Sequence, residues 1–77
     1  MLADLEAGLL RAQAAAAVGV TPHTVSMWAL RGWTEPDGTR RTLRVVGYRR
    51  GARLYRYGDV LHAERVTRQS PQSRRAA

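Results

Sequence analysis

Seven arginines, Arg40, Arg41, Arg44, Arg49, Arg50, Arg53 and Arg56, stand between Asp37 and Asp59 with no acidic residue among them. A guanidinium presents a planar fork of donors that fits a phosphate bidentately, and it stays charged at physiological pH. The seven equal the whole formal charge of +7, because the other six arginines are balanced by six acids. A solvated face normally mixes signs, so a block of one sign in a 77-residue chain points to a polyanionic partner. All 13 basic residues are arginine, and Lys, Ile, Phe and Asn are absent, as codon bias in a GC-rich genome would produce. Codon bias explains the identity of the cation and leaves its placement unexplained. The alternative use of Arg44, Arg49, Arg50, Arg53 and Arg56 is to keep an edge strand from aggregating.

A second group of polar side chains follows a helix start. In Thr21-Pro22-His23-Thr24-Val25-Ser26-Met27-Trp28, the threonine suits an N-cap and the proline suits the first helical turn. Val25 and Trp28 face a core. His23, Thr24, Ser26, Met27 and Arg31 are left for the outer face. There His23 can donate to a base edge or a phosphate, Ser26 can do either, and Met27 suits a thymine methyl. The competing readings are a solvated imidazole for His23, partial burial of Met27 against a hairpin, and for Arg31 closure of the helix against its dipole.

Catalytic chemistry finds no support. There is no cysteine for a disulfide or a thiolate zinc site, and His23, His62 and the scattered acids show neither metal spacing nor a nucleophile–base pair. No glycine-rich phosphate cradle precedes a helix. The Leu9–Val20 stretch is interrupted by Arg11 and Gln13 and is too short to span a bilayer. The first residues are acidic where a secretion signal is basic.

These side chains need elements to hold them. Residues 11–18 are alanine-rich helix material ended by Gly19, and a second helix runs from Thr21-Pro22 to about Arg31 with Gly32 as its stop. Ala15 is small enough for two helices to cross closely, and Val18, Val20, Val25 and Trp28 pack the crossing, which is a helix-turn-helix pattern. Trp33 reads as core. Thr34 to Gly38 is turn chemistry. Leu43, Val45 and Val46 read as one strand and Leu54 to Tyr57 as the next, with Arg49-Arg50-Gly51 between them and Gly51 supplying the positive φ of a short hairpin loop. Gly58-Asp59 starts a third helix with Asp59 as N-cap. Before Arg11 the chain is either a short extra helix or an extended lead-in.

Three signatures in order carry a resemblance. Trp28-Ala29-Leu30-Arg31-Gly32 matches a Trp-x-x-x-Gly helix end, Gly51-Ala52-Arg53-Leu54-Tyr55 stands against Gly-His-Arg-Arg-Tyr, and Asp59-Val60 opens the following helix. Residues 9–66 thereby resemble the DNA-binding domain of the MerR superfamily, especially its short one-domain members. The resemblance implies that the Val25 helix lies in the major groove and that the hairpin tracks the adjacent backbone, with Arg53 and Tyr55 at phosphate-contacting positions. Ala52 and Leu54 depart from the pattern, and Ser26 and Met27 stand where relatives often carry arginine.

The expected fold is mainly α with a small β-hairpin, a winged helix-turn-helix over 11–67. A lead-in over 1–10 precedes it and a disordered basic tail over 68–77 follows. The expected function is sequence-specific binding of double-stranded DNA as a cytoplasmic transcription regulator. It is not an enzyme and uses no cofactor, metal or membrane. Self-association along DNA is a possible partner interaction, and an integrase is another if the protein is an excisionase. The alternatives are a phage or integrative-element excisionase, the DNA-recognition domain of a phage small terminase, and an RNA-binding protein. The DNA-contacting set is Thr21, His23, Thr24, Ser26, Met27, Arg31, Arg44, Arg49, Arg50, Arg53, Tyr55 and Arg56.

Overall fold

A computed structural model describes residues 4–69. Along the chain run β1 (Gly8–Leu9), α1 (Arg11–Val18), α2 (Pro22–Leu30), β2 (Trp33–Thr34), β3 (Arg40–Arg41), β4 (Val45–Arg49), β5 (Ala52–Arg56) and α3 (Tyr57–Arg68). The strands form two antiparallel sheets, one ordered β1-β5-β4 and the other β2-β3. The expectation of a mainly α chain with one small hairpin is therefore corrected. Three helices share the described residues with five strands, and the fold is mixed α/β. The hairpin is not an isolated two-stranded wing, because the lead-in is extended and pairs with it, Gly8 opposite Arg56 and Leu9 opposite Tyr55. Two-residue strands are too short to carry a period of two, so neither β1 nor the β2–β3 pair leaves a mark in the sequence pattern.

Alanine makes α1, and its small side chains let two neighbours approach. Ala14 and Ala15 are buried against α2 and α3. No Ser, Thr, Asp or Asn precedes Arg11, and the Leu10 N–H is instead satisfied by the Gln13 side chain at 3.0 Å. After the turn at Gly19 (φ 75°), Thr21 accepts the Thr24 N–H at 3.1 Å and caps α2 with Pro22 in its first turn. Val25 and Trp28, one turn apart, enter the core. Helix α2 stops one residue before Arg31, and Gly32 (φ 78°) is doubly required. A Cβ there collides with the Arg41 carbonyl as β3 passes beneath it.

The start of α3 differs from expectation. Asp59 is not the N-cap. The helix begins two residues earlier, at Tyr57, because the lead-in supplies the missing acceptors: Tyr57 N–H donates to the Ala7 carbonyl and Gly58 N–H to the Leu5 carbonyl, both at 2.9 Å. Tyr57 is therefore helical rather than the end of a strand. Leu43 also lies outside a strand; it is buried in the loop before β4, its N–H directed at the Trp28 carbonyl. Arg68 belongs to α3 and pairs with Glu64 one turn back at 3.2 Å. The rest of the expected tail, from residue 70, lies outside the described residues, as do Met1 to Ala3. The core joins Ala14, Ala15, Val25, Trp28, Trp33, Leu43, Tyr55, Val60 and Ala63, so every helix and both sheets contribute to it.

Candidate nucleic-acid interface

The β4–β5 hairpin pairs Arg49 with Ala52, leaving Arg50-Gly51 as a two-residue loop. Both loop residues have positive φ, 51° and 82°, as a type I′ turn demands. Glycine adopts this freely, whereas the left-handed conformation costs a residue such as Arg50 about 1–2 kcal/mol. Placing a long cation in the hairpin turn is thus achieved against local backbone preference. Arg49, Arg50 and Arg53 are all exposed, and among the described residues none forms an ion pair or a side-chain hydrogen bond. Beside them an open cleft separates the hairpin from the start of α1. One stretch is lined by Leu10, Arg49, Arg50 and Ala52, and the next by Leu10, Arg11, Ala12, Ala52, Arg53 and Tyr55.

The other arginines of the block have structural partners. Arg44 forks onto Asp59, Nε to Oδ2 at 2.9 Å and Nη2 to Oδ1 at 3.1 Å. Arg56 reaches Asp59 Oδ1 at 3.0 Å with one nitrogen and Glu6 Oε1 at 2.6 and 2.9 Å with the others. Burial pushes the Asp59 carboxyl up, but the hydrogen bonds from Arg44 and Arg56 outweigh it and hold the group below its ordinary value. Glu6 is also held low, first by its hydrogen bond from Arg56. Arg40 donates to the Arg31 carbonyl at 2.8 Å and to Thr34 at 3.3 Å. Arg41 lies 3.8 Å from Glu35. Glu35 also accepts from Trp33 Nε1 at 3.0 Å and meets His62 Nε2 at 2.7 Å, tying the β2–β3 hairpin to α3. Burial raises the Glu35 carboxyl, and the His62 and Trp33 hydrogen bonds more than reverse it.

The sequence-predicted residues thus fall into groups. Arg50 lies in the hairpin turn, with Arg49 and Arg53 in the strand ends beside it. Arg44 and Arg56 are held at its base, and Tyr55 is a core residue with 6 % exposure. At the start of α2, the hydroxyls of Thr21 and Thr24 bond each other at 3.0 Å, His23 is exposed, and Ser26 and Met27 are half-buried. Arg31 is exposed just beyond the helix. Arg11, which sequence reasoning misses, donates from Nη1 to Ser26 Oγ at 3.1 Å. Its position two helices from the arginine block hides it, and only the helix crossing brings it to α2.

Comparisons with protein-family models, curated proteins and solved structures gave no match to this chain. Among the described residues no helix is long and apolar enough to cross a membrane, and no group of three or more His, Cys, Asp or Glu could hold a metal ion.

Proposed function

We propose that this protein binds double-stranded DNA and acts as a transcription regulator. The observation that carries the reading is the hairpin tip, where Arg49, Arg50 and Arg53 stand exposed with no acid to neutralise them. The tip lies across a cleft from α1, which in turn packs against the Thr21-capped helix α2. In this reading α2 faces the major groove, as the MerR resemblance implies, while the tip neutralises phosphates alongside. Phosphate contacts supply affinity and register, and α2 with its neighbours supplies sequence preference. An RNA reader of unpaired bases needs aromatic platforms for stacking. Of the three tyrosines, Tyr55 is buried and Tyr57 is part of α3, which leaves only Tyr48 exposed on the sheet.

A titration of labelled duplex DNA, matched single-stranded DNA and matched double-stranded RNA tests this. The expected result is preferential binding of duplex DNA that weakens steeply with salt. Equal or tighter binding of RNA overturns it.

A further inference from the structure

Helix α2 reads Pro-His-Thr-Val-Ser-Met-Trp-Ala-Leu and contains no Arg, Lys, Asn, Gln, Asp or Glu. It therefore has none of the side chains that grip a base edge with two hydrogen bonds or with a charge. A guanidinium nevertheless lies against it. Arg11, the first residue of α1, crosses to Ser26 in the middle of α2 and donates to its hydroxyl at 3.1 Å. Arg11 is exposed and has no carboxylate partner among the described residues. It also lines the cleft that leads to Arg53, so it stands between α2 and the hairpin tip.

The hydrogen bond fixes what the pair can offer a ligand. A guanidinium has only N–H donors, and one of them is used on Ser26. Ser26 accepts that bond and keeps its own proton to donate, while the adjacent positive charge repels any further donor. Arg11 and Ser26 together present donors and a positive charge, with no acceptor of comparable strength. In the major groove guanine shows two acceptors side by side, N7 and O6. Adenine pairs an acceptor with a donor, cytosine shows a donor, and thymine shows one acceptor beside a methyl group. We infer that Arg11 and Ser26 form a composite guanine reader, with α1 supplying the guanidinium that α2 lacks.

The inference rests on the duplex-DNA reading, and one experiment separates the two. Wild type, Arg11→Ala, Arg11→Lys and Ser26→Ala are each used to select binders from a pool of random duplexes. Circular dichroism first checks that each variant is folded, since alanine and lysine are both sound helix residues at an exposed first position. Wild type is expected to enrich a guanine at one position of its consensus. Both Arg11 variants are expected to flatten that position alone, since lysine keeps the charge and loses the fork. Ser26→Ala is expected to weaken the preference by releasing the guanidinium. Affinity of Arg11→Ala for the consensus should fall by on the order of 10- to 100-fold, against a much smaller fall on random duplex. Replacing that guanine by 7-deazaguanine should weaken wild type and leave Arg11→Ala unchanged.

If Arg11→Ala still enriches the same guanine, or loses affinity for all sequences alike with a shallower salt slope, Arg11 is no base reader and the inference is overturned. A consensus without guanine overturns it too. If wild type selects no duplex at all, the failure lies with the duplex-DNA reading on which the inference stands.

Discussion

At the base of the β4–β5 hairpin, Arg44 and Arg56 converge on the buried carboxylate of Asp59, and Arg56 also holds Glu6 from the lead-in. At the tip of the same hairpin, Arg49, Arg50 and Arg53 point into solvent with no acid within reach, one of them in a strained backbone conformation. The residue type is identical and the two roles are opposite. At the base a guanidinium closes the fold, joining the lead-in, the loop before β4 and the first turn of α3. At the tip a guanidinium has no structural partner to lose, so its energetic effect is available to a ligand. What separates the two is the distribution of six acids in space, since along the sequence both sets lie in the same acid-free stretch.

The contrast is broken most severely at Asp59. Asp59→Ala leaves two guanidiniums facing each other at the start of α3 and removes the negative charge that favours a helix N-terminus. We expect the midpoint of thermal unfolding to fall by about 10 °C or more. The triple change of Arg49, Arg50 and Arg53 to alanine should leave the midpoint within about 3 °C of wild type. A calorimetric melt of both variants checks this, and equal losses would erase the distinction between base and tip.

Acid separates the same two regions without mutation. Asp59, Glu35 and Glu6 all have native carboxyl values lowered from their ordinary ones. Their contribution to stability is therefore complete above the ordinary carboxylate range, near pH 4, and is lost as pH falls through the lowered native values. Melting should drop below about pH 4, with a smaller drop in Asp59→Ala. A pH-independent melt down to about pH 2.5 would show that the base cluster contributes little.

The smallest expected effect is the most particular to the tip. Arg50→Gly relieves a positive φ and should stabilise the hairpin by up to about 1 kcal/mol, while the salt dependence of DNA binding falls by the equivalent of about one phosphate. Stability and binding moving in opposite directions would mark Arg50 as held against backbone preference for the sake of a ligand. A destabilised variant would show that the loop gains from arginine in some other way.

What is legible in the sequence is local. The Gly19 turn, the Thr21 cap with Pro22 behind it, the core positions of Val25, Trp28 and Trp33, and the positive φ of Gly51 in the hairpin turn each depend on a few neighbouring residues. What stays hidden is non-local. β1 is two residues long and is recognisable only from its partner β5. Asp59 reads as a helix cap from its neighbours, yet its guanidinium partners include Arg44, 15 residues earlier. Arg56 meets Glu6 across 50 residues, so counting charges along the chain cannot show that it is neutralised. The MerR pattern puts Tyr55 at a phosphate position, whereas its strand turns that side chain into the core. Arg11 escapes notice because its place beside Ser26 exists only once α1 crosses α2.

The proposal that the tip, and not the base, meets a nucleic-acid backbone is tested most directly by the salt dependence of duplex binding. The logarithm of affinity is followed against the logarithm of salt concentration for wild type and for the variant with Arg49, Arg50 and Arg53 changed to alanine. Removing one arginine from a phosphate should lower the slope by about one unit, so a fall of about three units is expected, on random and selected duplexes alike. An unchanged slope, with the variant folded and still bound to DNA, would contradict it and remove the hairpin from the interface.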